Sequence, residues 1–459
     1  MGIKIFSHKV PRNASSAAKD MTVGEPARLI LLYSVPLLVG NLFQQMYNMV
    51  DTIIVGRLLG QNALAAVGNT GPMNFLVLGF AYGLSSGFAV ITAQRFGAKD
   101  WAGLKRSVAM NIKLNAASSV ILTVLACVFA MPILHAINTP SEIIKQSFSY
   151  IIVIFIGITT CTMYNCGACI LRAVGDSKSP LVFLIISSLL NIVLDIVLII
   201  KTNMGVAGAA WATVISQAVS AVLSFVWIYV KYPLLHVYHS DFSPDVWFAK
   251  QHISIGANMA FQFSITAIGV IILQGALNKF GPAKIAAFTA AQKVEQLVTI
   301  AAGTFGVTMA NFSGQNLGAN RIDRIREGTN KAVFITIIFS ILSAVFAIVL
   351  SDQLTGLFLK DAPEEVLSAS RMYLRITAAF YPVLFVLFIY RNVLQGMGRG
   401  FWPLMGGVFE LIARAVSAYT LPLVWEFAGV CAAEPMAWCG ATFPLAAAYY
   451  IIIRKIHQK

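Results

Sequence analysis

Charge is what this chain has least of. Asp, Glu, Lys and Arg make up 11% of 459 residues, and only 19 residues are acidic; a soluble globular chain carries about 25% charged residues. A soluble protein so poor in charge would lack the polar surface to stay dissolved. The net charge of +14 is spread over short loops between apolar runs rather than gathered on a basic helix or tail, which argues against nucleic-acid binding. Cysteine is scarce as well. Cys127, Cys161, Cys166, Cys169, Cys431 and Cys439 lie mostly in apolar runs. Cys166 and Cys169 have redox-like spacing but no βαβ pattern around them, so buried apolar thiols are the simpler reading. Of the histidines, His8, His236, His239, His252 and His457 fall in tails or loops and His135 at a span end, which leaves no catalytic dyad at membrane depth and argues against an intramembrane hydrolase.

What the chain has instead is 58% hydrophobic residues. About 20 mostly apolar residues suffice for one helical crossing of a bilayer. Twelve such stretches are found, centred in 29–56, 63–92, 107–132, 144–171, 179–200, 206–230, 250–279, 283–312, 330–351, 366–390, 401–425 and 430–453. With an even number of spans, 22 of the 33 basic residues fall on the side of the termini, and only Arg57, Lys201, Lys279, Lys284 and Lys360 on the other. That asymmetry places both termini in the cytoplasm. The first 27 residues are polar and basic and read as a cytoplasmic tail. The expected organisation is a tail (1–28), six helices (29–231), a cytoplasmic linker (232–249), six more helices (250–453) and a tail (454–459).

The halves repeat one another. At an offset of 221, AQRFGAK (93–99) faces GQNLGAN (314–320), aligning Gln94 with Gln315 and Gly97 with Gly318. Further on the offset becomes 223, and LRAVGDSKSP (171–180) faces LQGMGRGFWP (394–403), with Gly175 on Gly398. Two six-helix bundles of the same orientation follow, related by an axis along the membrane normal, with a cleft between them suited to alternating access.

A charge near the bilayer centre costs about 2.5–3.5 kcal/mol even on the lenient insertion scale, so each one needs a reason. The acids well within spans are Asp51, Asp195, Glu295 and Glu410. Asn41, Gln44, Asn48 and Asp51 follow one another at steps of 3, 4 and 3, one polar stripe on the first helix, with Pro36 upstream as a bend. Asn191 and Asp195 share a face of the fifth span, and Thr213 lies at comparable depth in the sixth. Two carboxylates with amide and hydroxyl oxygens suit a hard cation such as Na⁺; burial equally suits the pair to carrying a proton. Interhelical hydrogen bonding is the plainer alternative. In the second half, Ile272 stands opposite Asp51 and Arg414 opposite Asn191, so cation chemistry is concentrated in the first half. The seventh span keeps the uncharged Asn258 and Gln262. Glu410 and Arg414, four apart, read as a structural ion pair, and Glu295 as a cavity-facing anion. Gly83-Leu84-Ser85-Ser86-Gly87 fits G-x-S-x-G, but inside an apolar span Gly79, Gly83 and Gly87 read as a groove for a neighbouring helix.

The run PLLVGNLFQQMYNMVDTIIVGRLLGQNALAAVG (36–68), with AQRFGAK, LRAVGDSKSP, LNIVLDIVLI (190–199) and GVAGAAWATVISQ (205–217), resembles the multidrug and toxic compound extrusion (MATE) transporters. The likeness runs from about Gly24 to Arg454 and is greatest to the bacterial branch that includes DinF-like exporters. It implies an all-α polytopic fold of twelve helices in two lobes, no enzyme activity and no cofactor. The implied activity is export of organic cations or amphiphiles driven by inward Na⁺ or H⁺, from a bacterial inner membrane and as a monomer. It carries the cation or proton site onto Asp51, Asn191, Asp195 and Thr213, and the bendable first helix onto Pro36. Substrate-cavity candidates are Asn41, Gln44, Asn48, Asn258, Gln262 and Glu295. Some members also use acidic groups in the second lobe; Gln262 stands at that seventh-span position here. The rival reading is a flippase of a lipid-linked oligosaccharide or cell-wall precursor, which a groove lined by several arginines would favour.

Overall fold

The computed structural model describes residues 19–202, 204–356 and 363–457, and sixteen α-helices are found among them. Lys360 and most of both expected tails lie outside the described residues. The first half runs α1 (Pro26–Leu59), α2 (Gln61–Asn69), α3 (Gly71–Gly97), α4 (Trp101–Ala136), α5 (Ile144–Ile156), α6 (Ile158–Ala173), α7 (Lys178–Ile196) and α8 (Val206–Lys231). The second runs α9 (Val246–Leu277), α10 (Gly281–Gly318), α11 (Ile322–Val349), α12 (Ser351–Gly356), α13 (Glu364–Ala379), α14 (Tyr381–Gly396), α15 (Phe401–Thr420) and α16 (Pro422–His457).

Eight helical stretches are long and apolar enough to cross a bilayer, and one of them, the 73-residue Val246–Gly318, is interrupted after Leu277 and forms both α9 and α10. The pairs α5–α6 and α13–α14 each make one bent span, at 45° and 48°. With α15, which carries Glu410 and Arg414, the described residues make twelve spans. Three are not the single rods that hydropathy suggests. The second breaks at Thr70, before Gly71-Pro72. The fourth bends at Gly157, where a Cβ would lie 2.3 Å from Val214 Cγ2. The tenth bends at Phe380, before Pro382, whose ring nitrogen has no hydrogen to donate.

The repeat is written into the backbone. Gly60 and Gly281 have φ of 85° and 82°, Lys99 and Asn320 of 54° and 56°, and Gly175 and Gly398 of 88° and 72°. The first two pairs stand 221 apart and the third 223, as do the bends at Gly157 and Phe380. The lipid faces repeat too. On α4, Val120, Ile121, Val124 and Val128 are 56–64% exposed; each 221 residues on, Ile341, Leu342, Val345 and Val349 of α11 are 50–67% exposed. Such surface is stable only against acyl chains.

Apolar clusters form within the lobes and across them, the largest joining α10, α11, α14 and α16 of the second lobe with the start of α1. Between lobes, α3 lies on α9 where glycine permits: a Cβ on Gly83 would stand 2.6 Å from Ala260 Cα, and one on Gly87 2.5 Å from Gly256 Cα. This is the groove that the glycine spacing implies. The linker is docked, with Leu234 and Leu235 buried. Its last residue, Asp245, caps α9 through Phe248 N (2.9 Å) and pairs with Arg106 (2.7 Å). The Phe248 amide first and the Arg106 guanidinium next hold the Asp245 carboxyl below the usual carboxylate range.

Candidate functional site

The lobes are sealed at the end that carries the basic loops. Gln94 donates to Gly396 O and its counterpart Gln315 to Ala173 O, both at 2.9 Å. Gly97 and Gly318 let the strongly packed α3 and α10 touch: a Cβ on either would fall 1.8 Å from the carbonyl oxygen of Gln315 or Gln94, respectively. The segment before α1 closes the same end. Met21 N donates to Gln315 Oε1 (2.8 Å), and Arg324 reaches Gly24 O (2.8 Å).

Beyond the seal, two adjoining cavities of about 510 and 370 Å³ occupy the region between the lobes, a size that suits a drug-like ligand. Asn41, Gln44 and Asn48 line both, and Gln262 lines the second. α1 passes unbroken through Pro36, tied to α10 by Asn41 Nδ2 to Thr304 Oγ1 and Ser34 Oγ to Thr308 Oγ1, both 2.9 Å. Asn258 and Glu295 are not among the lining residues. Asn258 lies 3.1 Å from where a Cβ on Gly400 would be, and Glu295 is 5% exposed and accepts from the Tyr373 hydroxyl. Glu295 therefore faces a partner inside the second lobe rather than the cavity expected from its isolation in sequence.

One turn beyond Asn48, the structure brings Asp51, Asn191, Asp195 and Thr213 together. The Asp51 and Asp195 carboxyls are within hydrogen-bonding reach of each other. With its amide oriented to satisfy its neighbours, Asn191 donates to Asp195 Oδ2 (2.9 Å) and Tyr47 Oη (3.3 Å), and its oxygen accepts from Thr213 N (3.0 Å). One oxygen on each carboxyl, Oδ1 of Asp51 and Oδ1 of Asp195, is buried with no partner among the described residues. Two carboxylates this close repel unless a proton or cation lies between them. The orphaned oxygens, with the Asn191 and Thr213 oxygens, form a donor set that fits a hard monovalent cation or a shared proton. Directly after Asp195 the helix widens into a π-turn over Val197–Lys201, a feature common at functional sites.

The second lobe holds a different cluster. Glu410 accepts from Arg391 (2.5 Å) and Arg414 (2.9 Å), and Arg414 lies 3.8 Å from Glu434. All four are buried, between 3 and 7% exposed. The expected pair is thus part of a network spanning α14, α15 and α16.

The model of the family named MatE matches residues 36–197 and 255–420, most of both lobes. The chain belongs to the MatE family. It is a multi-pass membrane transporter, not an enzyme. A "Probable multidrug resistance protein YoeA" of Bacillus subtilis is 27% identical over 441 residues, covering 93% of this chain and 94% of its own. An "FAD transporter" of Shewanella oneidensis is 22% identical, covering 84% and 85%. Among solved structures, the outward-facing conformation of a multidrug resistance MATE family transporter superimposes with a TM-score of 0.90 at 23% identity, over 98% of this chain and 99% of that one. A Pyrococcus furiosus transporter of the MOP superfamily matches equally, at 0.90 and 23% over 98% and 100%. These likenesses establish the shared MATE fold.

Within this MATE frame, sequence reasoning missed several residues. Glu434 lies inside the span expected over 430–453 and was legible there as a fifth membrane acid. Arg172 and Arg391, two of the 22 basic residues assigned to the segments between spans on the side of the termini, are inside α6 and α14, and both line the cavities. His252 is buried in α9 between Ser107 Oγ (3.0 Å) and Phe248 O (2.9 Å), not in a loop. Glu410→Gln is expected to destabilise the protein by about 3–5 kcal/mol, because it leaves two buried guanidiniums without their shared counter-charge. The check is the half-life of monodisperse protein on heating in detergent; an unchanged half-life would deny the network a structural role.

Proposed function

We propose that this chain is a cation-coupled antiporter that exports amphiphilic compounds, with Asp51, Asn191, Asp195 and Thr213 as its coupling site. The observation that carries the reading is the adjacent carboxyl pair with orphaned oxygens, one turn along α1 from cavity residue Asn48. Several relatives are named as multidrug proteins, among them the YoeA protein and the "Multidrug export protein MepA" of Staphylococcus aureus. The positive-inside asymmetry supports termini in the cytoplasm and bacterial relatives support a cytoplasmic membrane, so the sealed end faces inward and the cleft outward. The lobes divide as 29–231 and 250–453. A cleft complete within one chain supports a working monomer, and the motif runs support the DinF-like branch.

In the cycle, substrate occupies the open cleft and Na⁺ or H⁺ enters at Asp51 and Asp195. Neutralising the pair removes their repulsion and repacks α1 near Pro36, which narrows the cleft and expels the substrate. Coupling requires that ion and substrate bind the two states differently. Dye efflux from proteoliposomes is expected under an imposed Na⁺ or pH gradient, each applied separately; efflux independent of both would overturn the antiport reading. Arg172 and Arg391 in the lining favour, as a second reading, a flippase of a lipid-linked phosphate, which would flip labelled lipid with neither gradient imposed.

A further inference from the structure

We infer that the cleft selects amphiphiles bearing an acidic group, a carboxylate or a phosphate, and that Arg172 is the residue that binds it. The inference rests on reading the cleft as the export cavity and names its substrate class. Among the described residues, the two cavities are lined by two arginines and by no Asp or Glu. An organic cation would find no counter-charge among those walls.

The two arginines differ. Arg391 is neutralised by Glu410 at 2.5 Å. Arg172 makes no salt bridge among the described residues. Among the described residues its Nε is buried without a partner, its Nη1 reaches Cys169 Sγ at 4.0 Å, and the Tyr82 hydroxyl is within hydrogen-bonding reach. Around it stand Tyr33, Tyr82, Tyr164 and Cys169, which carry no negative charge at neutral pH. The acid one turn on, Asp176, is committed to Tyr232 Oη (2.7 Å), Ser179 Oγ (2.5 Å) and the Lys178 and Ser179 amides (both 3.0 Å).

A half-buried guanidinium whose Nε is buried and which has no carboxylate beside it lacks the counter-charge that would offset its desolvation. What would supply it is a planar anion in the cleft, since the arginine fork matches carboxylate and phosphate oxygens two at a time. The remaining lining suits the rest of such a molecule. Asn41, Gln44 and Asn165 offer neutral donors and acceptors, while Tyr164 and Phe263 offer aromatic faces.

The test uses the purified full chain and three fluorescent probes of one body: dansylglycine (acid), dansylglycinamide (neutral) and dansylcadaverine (cation). Dansylglycine is expected to bind at least tenfold more tightly than either of the others. Arg172→Gln is expected to weaken dansylglycine about tenfold and leave the other two within twofold, with Arg172→Lys in between. Equal binding of the three, tightest binding of dansylcadaverine, or an equal loss of all three in a monodisperse Arg172→Gln protein would overturn the inference. If that variant does not fold, the wild-type order decides alone. Probe order as stated but no transport under either gradient would uphold the selection and overturn antiport; gradient-driven transport with dansylcadaverine bound tightest would do the reverse.

Discussion

Asp195→Asn is expected to reduce gradient-driven efflux at least about a hundredfold while the protein still folds and binds substrate. The amide matches the carboxyl in shape, so packing around α7 and α8 survives, and removing a buried charge relieves its repulsion with Asp51. What is lost is the change of state. An Asn side chain neither takes up and releases a proton nor supplies a charged ligand to Na⁺, so ion binding no longer favours one arrangement of α1 over the other. A hundredfold bias between two states corresponds to about 2.7 kcal/mol, within reach of one desolvated carboxylate–cation contact. Asp51→Asn is expected to do the same. The double variant should be no worse than either single one, because residues that act as a unit do not add. The measurement is dye efflux from proteoliposomes under imposed Na⁺ and pH gradients. Unchanged rates in Asp195→Asn would remove that residue from the mechanism.

The frame was legible because it depends on local regularities. Apolar length marks spans, basic residues mark their ends, and the offsets of 221 and 223 tie the halves together; the left-handed pairs Gly60–Gly281 and Lys99–Asn320 show how literally the backbone follows them. The Asp51 and Asp195 sites were legible as polar positions on helical faces, although Tyr47 and the π-turn after Asp195 were not, since neither disturbs hydropathy. The second-lobe network was half legible. Glu410 and Arg414 declare themselves by their spacing, whereas Arg391 and Glu434 join only through the packing of α14 and α16 against α15. Arg172 was misplaced for a physical reason: a basic residue in the last turn of a helix looks in sequence like the start of a cytoplasmic loop. The bend at Gly157 depends on the approach of Val214, 57 residues away in sequence, and no local pattern encodes it.

The reciprocal glycines give the other large effect. Gly97→Ala and Gly318→Ala are each expected to cut efflux more than tenfold by opposing closure of the inner end. At both positions the new methyl would sit 1.8 Å from a carbonyl oxygen of the facing helix; backbone cannot turn aside as a side chain does, so α3 and α10 must part. Parting breaks the Gln94 and Gln315 bonds that close this end, each contributing about 0.5–1.5 kcal/mol. With the lost helix contact, a shift of about 2–3 kcal/mol moves the balance between states about 30- to 150-fold. Gly79→Ala is the control, because its methyl would meet Phe263 at an ordinary 3.5 Å. Accessibility reports the state directly. A cysteine placed by Asn48→Cys, with Cys161 of the same cavity replaced by Ser, should react with an impermeant maleimide from outside in the parent and much more slowly in Gly97→Ala. Unaltered labelling and efflux in both glycine variants would show that the lobes close without this contact. Alanine tolerated at one position alone would show that the symmetric seal works through a single side, since the two contacts are rotational copies of one another in the repeat.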